Sequence, residues 1–153
     1  MNPSSEAPLL FDDITVGLVM SPVEPYEMTR DEIVEVASRW DPQPFHIDEA
    51  AARATDYKGL IASGLHTIAA SIRLSTLERP KTAAIAGLGM DELRMTHPVR
   101  PGDRLTQTTE VLELIPSRSR PDRGIVRGRR SVRNQDGIVV LSYVLTWMVE
   151  RAT

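Results

Sequence analysis

Residues 62–77 leave this chain the fewest choices of fold. Leu65, Ile68, Ala69, Ile72 and Thr76 recur at helical spacing, while Ala70, Leu74 and Leu77 add apolar groups on the opposite side. A helix that is apolar most of the way round is a buried one. At 1.5 Å per residue it runs about 24 Å. Ala62, Ser63, Gly64, Ala69, Ala70 and Ser71 are small, so another layer can approach closely. A sheet is the expected layer.

The rest of the chain supplies it. Residues 83–98 read as a strand broken by two glycines, with Leu93, Met95 and His97 on one parity. Val99-Arg100-Pro101-Gly102-Asp103 is a turn, residues 104–114 alternate, and residues 117–124 form a polar connection. A strand over 125–133, a hairpin turn at Asn134-Gln135-Asp136-Gly137 and a doubly apolar strand over 138–149 complete the series. Before the long helix, residues 11–20 read as a short strand. Thr29 and Glu32 form a capping box for a helix that Pro42 stops, and Asp48 opens a second short helix. The expected class is α+β, an antiparallel sheet wrapped around a long central helix. Residues 1–8 read as a frayed tail and 9–153 as one domain.

Composition removes several functions. A net charge of −3 argues against a general nucleic-acid binder, and the absence of cysteine excludes thiolate chemistry. No stretch approaches the ~20 apolar residues of a membrane span, and residues 1–8 lack the pattern of a signal peptide. The expected location is the cytoplasm, away from membranes.

Chemistry concentrates between Arg39 and His66. Asp41 and His46 bracket Pro42 and Pro44, which fix their own φ angles and bias the preceding residues toward extended conformations. The segment reads as a stiff, non-helical loop holding two titratable groups at a set distance. Ser63-Gly64 reads as a helix N-terminus with bare amides. An acid, a base and such a terminus suit proton transfer beside a carbonyl that takes up negative charge. Taken alone, Asp41 reads first as a turn cap and His46 as a structural histidine; Asp48 is most simply a helix cap.

These pieces resemble one family. Phe11-Asp12-Asp13-Ile14-Thr15-Val16-Gly17, then Asp41-Pro42-Gln43-Pro44-Phe45-His46-Ile47-Asp48, Ile61-Ala62-Ser63-Gly64 and Pro98-Val99-Arg100-Pro101-Gly102-Asp103 occur in the order found in the MaoC-like dehydratases. That family includes the (R)-specific enoyl-CoA hydratases and has the hot-dog fold. The resemblance implies a hydratase or dehydratase acting on a coenzyme A or acyl-carrier thioester, as a homodimer or larger even assembly, with no metal or other cofactor. By position Asp41 and His46 match the catalytic pair, and Gly64 the glycine whose amide binds the thioester carbonyl. Phe45, Ser63 and His66 are the expected substrate contacts. The arginine-rich run over 118–133 reads either as a solvated face or, through Arg127 and Arg129, as partners for coenzyme A phosphates. The family often has Asn where Gln43 stands and His where Ser63 stands. In some hydratases a helix serine occupies the position of Ile72. Rival readings are thioester hydrolysis, a catalytically idle subunit, and an iron triad of His46, Asp48 and His97.

Overall fold

The computed structural model of the protein describes residues 7–152. Its strands are β1 (Val19–Pro22), β2 (Tyr26–Glu27), β3 (Glu78–Arg79), β4 (Ala84–Met95), β5 (Arg104–Pro116), β6 (Arg123–Arg133) and β7 (Val139–Glu150). They pair antiparallel in the order β3-β1-β5-β6-β7-β4, with β2 beside β5. The helices are α1 (Arg30–Trp40), α2 (Pro44–Ile47), α3 (Glu49–Arg53) and α4 (Gly64–Ser75).

The period-two pattern sorts each strand's side chains. In β6, Gly124, Val126, Gly128, Arg130 and Val132 are buried, while Arg127 and Arg129 face the other way. The turn before β7 forms as expected. Gly137 takes a φ of 75°, and the Asn134 Oδ1 accepts the Asp136 and Ile138 amides. Ala70 and Leu74 of α4 pack against Leu105, Val132, Leu141 and Tyr143. A second cluster joins Phe11, Met20, Val111, Val126 and Trp147.

Three expectations change. Residues 11–13 form a 3-10 turn instead of a strand, which lays the Phe11 ring where Gly124 has no Cβ. The segment after Asp41 is a single helical turn with Pro44 at its first position, the one place in a helix where proline costs nothing. And α4 is not covered all round: Leu65 is 49% and Ile72 48% exposed. Beside them β4 is the sheet's edge, its outer side unpaired among the described residues, with Ile85, Leu88 and Met90 exposed. Residues 1–6 of the expected tail lie outside the described residues, whereas Leu9 is hydrogen-bonded to Lys81 and Ala83.

Candidate active site

Asp41 is the C-cap of α1, where its amide bonds the Ala37 carbonyl at 2.8 Å. Its own carbonyl accepts the Gln43 amide at 2.8 Å, which tightens the chain into α2. His46 is on α2 and buried. Its Nδ1 lies 2.8 Å from the Ile61 carbonyl, which can only accept, so Nδ1 carries the proton. That bond turns Nε2 toward Asp41, 3.4 Å from Oδ2. The two groups therefore converge, in the order backbone carbonyl acceptor, imidazole, carboxylate.

The third element is the start of α4. Ser63 caps the helix by accepting the Leu65 amide at 3.2 Å, and its hydroxyl donates to Asp41 Oδ2 at 2.6 Å. The Gly64 amide has no acceptor among the described residues. A Cβ on Gly64 would collide with the Met95 sulfur, so only glycine lets Met95 lie against the helix start.

A turn aligns these parts. Val99 accepts the Ala62 amide at 2.8 Å, just before Ser63. Gly102 has φ 87° and donates to Met28, whose own amide bonds Asp103. The Asp103 carboxylate accepts the Arg100 amide at 2.9 Å and the Gln135 amide group at 2.9 Å.

His46, Gly64, Thr67, Met95 and His97 line a cavity of about 350 Å³, with Phe45 and Tyr57 at its mouth. The Phe45 ring stands edge-on to His46, centroids 4.6 Å apart, and tilts against Tyr57 at 5.4 Å. His46 and the free Gly64 amide thus share one opening; Asp41 is not part of its lining and reaches it through His46, 3.4 Å from Nε2.

The profile of the MaoC like domain matches residues 14–131, a span that includes all three elements. The chain belongs to the MaoC-like dehydratase family. A MaoC-like dehydratase from Rhodospirillum rubrum is 40% identical, covering 95% of this chain and 99% of that one, with a TM-score of 0.87. The unliganded (R)-hydratase PhaJ1 from Pseudomonas aeruginosa is 27% identical over 95% of this chain and 88% of its own, TM-score 0.75. A 3-hydroxybutyryl-CoA dehydratase from Methylorubrum extorquens is 32% identical over 73% of this chain and 69% of its own length. The fold is the hot-dog fold that the sequence suggested.

Within this MaoC-like frame, some expected contacts lie elsewhere. His66 does not line the cavity. One residue's rotation on α4 separates it from Thr67, and it faces α1, with Nε2 3.6 Å from Glu32 Oε1. Both its ring nitrogens lack hydrogen bonds among the described residues. Burial pushes its pKa down, opposed by the nearby Glu32. The Glu32 carboxylate, expected to complete the capping box, is instead held by the Tyr26 hydroxyl. Burial, reinforced by that bond, pushes the Tyr26 pKa up to about 12. Ser63, the expected substrate contact, is buried, with its hydroxyl taken up by Asp41 and Leu65.

Arg127 and Arg129 lie on the sheet face away from the cavity, paired with Glu113 at 3.1 Å and Glu92 at 3.4 Å. A period-two strand cannot turn them inward while Arg130 is buried. Asp48 caps α3 through the Ala50 and Ala51 amides at 2.8 and 3.1 Å, so it does not join His46 and His97 in a triad. Tyr57, Thr67 and Met95 are cavity residues that the sequence did not assign to the site, and His97, weighed there only as an iron ligand, lines the same cavity. The residues just before Pro98 were the available signal, since the turn that follows fixes Ala62.

Proposed function

We propose that this protein hydrates 2-enoyl thioesters and catalyses the reverse dehydration. The observation that carries the reading is the 3.4 Å approach of Asp41 Oδ2 to His46 Nε2 beside the free Gly64 amide. In hydration, Asp41 takes a proton from water as its oxygen attacks C3. Electron density moves to the thioester oxygen, where the Gly64 amide and the N-terminal end of α4 stabilise the enolate. His46, protonated at Nε2, then delivers its proton to C2, and the thioester carbonyl reforms. The extra proton now on Asp41 returns to Nε2 across the short gap, which resets the pair. Ser63, donating to Oδ2, leaves the other carboxylate oxygen for the water. No step uses a metal or other cofactor.

The family and the 3-hydroxybutyryl-CoA dehydratase relative support a coenzyme A thioester as substrate, with an acyl-carrier thioester as the other form of the same chemistry. Two copies of the chain are proposed to pair along the open β4 edge, covering Leu88 and Met90.

The test is crotonyl-CoA with the purified protein, following loss of the enoyl absorbance and release of free thiol in parallel. Loss of absorbance without thiol is the expected result. Thiol release would replace the reading with hydrolysis, and neither signal would make this an idle subunit. Asp41→Ala and His46→Ala should each lower turnover by ~10²–10⁴-fold.

A further inference from the structure

A second cavity of about 560 Å³ lies further along α4, between that helix and the β4–β7 pair. Ile72, Ser75, Met90, Leu145 and Trp147 are among its walls. Met90 pairs with Leu145, and Met95 with Leu141, so the two cavities follow one another along the same strands. Ile72 is eight helical positions beyond Gly64, about 12 Å along α4. The half-buried Ile68 and Leu93 occupy the positions between.

Its floor holds two charges that the proposed chemistry does not use. Arg130 and Glu78 are 4% and 5% exposed. Around them runs a network in which each hydroxyl has a forced direction. Thr109 Oγ1 donates to Glu78 Oε1 at 2.6 Å and accepts from Arg130 Nε at 3.0 Å. Gln107 Nε2 donates to the same Glu78 oxygen at 2.7 Å, while its Oε1 accepts from Ser71 at 2.8 Å. The Tyr143 hydroxyl must then donate to Ser71, at 2.8 Å, and accept from Arg130 Nη1 at 3.1 Å. Two groups are left over. Arg130 Nη2 and Glu78 Oε2 stand 3.6 Å apart, with no hydrogen bond among the described residues.

A buried ion pair is a poor stabiliser compared with apolar packing of the same volume, so this pair needs another reason to exist. The geometry points to the second cavity as the binding site for the distal part of the acyl chain, with Arg130 and Glu78 recognising a hydroxyl carried there. A hydroxyl accepts from Nη2 and donates to Oε2 at once. A carboxylate would meet the Glu78 charge, and an ammonium the Arg130 charge. The apolar walls hold the methylene chain. The inference deepens the hydratase reading and rests on it for the position of the thioester.

The experiment compares decenoyl-CoA with its terminally hydroxylated counterpart, by hydration rate and by calorimetric binding, alongside crotonyl-CoA. The hydroxylated chain should be favoured by at least about 10-fold in kcat/KM, because a site built for a hydroxyl is left unpaired by the plain chain. The double variant Arg130→Met with Glu78→Gln should erase that preference and leave crotonyl-CoA turnover unchanged. Ile72→Phe, on the exposed flank of α4, guards against a folding failure of that variant. It should weaken both long chains about 10-fold and spare crotonyl-CoA. Crotonyl-CoA turnover with equal kcat/KM for the two long chains, or long chains indifferent to Ile72→Phe, would overturn the inference while the hydratase reading stood. Tighter binding of the hydroxylated chain with no hydration of any substrate would keep the subsite and remove the hydratase reading.

Discussion

Ser63 Oγ donates to Asp41 Oδ2 at 2.6 Å and itself accepts the Leu65 amide at 3.2 Å. One atom thus ties the carboxylate to the first turn of α4. Ser63→Ala removes both bonds. The expected result is a fall in kcat of about 10-fold or more with KM nearly constant, and a loss of ~1 kcal/mol in stability from the missing cap. Steady-state kinetics and urea denaturation check the two effects separately. Unchanged kcat with lower stability would reduce Ser63 to a cap.

Gly64 and Met95 compete for one space. Gly64→Ala should displace Met95 into the cavity and lower kcat/KM by ~10²-fold, the cost of spoiling one oxyanion donor, with little loss of fold. In the Gly64→Ala/Met95→Ala double variant much of that loss should return. A double-mutant cycle that proves additive would mean the two do not act through contact.

The outward arginines make a contrasting case. Arg127→Ala and Arg129→Ala each break a solvent-exposed pair with Glu113 or Glu92. Each should change stability by less than about 1 kcal/mol and leave KM for a coenzyme A substrate unchanged. A several-fold rise in KM would place the phosphates on that face.

His66 ties stability to pH. Burial lowers its folded pKa below the unfolded ~6.5, so the unfolded chain binds more protons between the two values. Its contribution is therefore present above pH ~6.5 and lost as pH falls through the folded pKa. The melting temperature should drop on acidification below that point, and His66→Gln should flatten the drop. Glu32, the charged group beside it, favours the protonated form and moderates the slope.

An open strand edge calls for a partner. Leu88→Lys should convert a dimer to a monomer by placing a buried charge in the proposed seam, with the change read by light scattering. A wild-type protein that is monomeric at all concentrations would remove the seam.

Local signals were readable in the chain because their partners are a few residues away. Thr29, Asp48, Ser63 and the Asn134–Gly137 turn all cap or turn as their spacing predicts. Asp41 and His46 could be paired in advance through the family resemblance, while the prolines between them suggested a loop where the chain makes a helical turn. What stayed hidden depends on which way a side chain points in three dimensions. His66 and Thr67 are neighbours in sequence, yet one faces α1 and the other the cavity. The apolar flank formed by Leu65 and Ile72 reads the same whether this chain or another copy covers it. In β4, register shifts between Ala84/Ala86, Gly87/Gly89 and Asp91/Arg94 break the parity that placed Met95 and His97. The Arg130–Glu78 pair could not be seen at all, since its members come from strands that meet only after folding.

The turn at 98–103 holds Ala62 through Val99 and Met28 through Gly102 and Asp103, joining stretches that are distant along the chain. Such closures are slow to form, so the proposed hydratase activity should be the last signal to return during refolding. A substitution that loosens this clasp would silence that activity while helical and sheet content still looked intact.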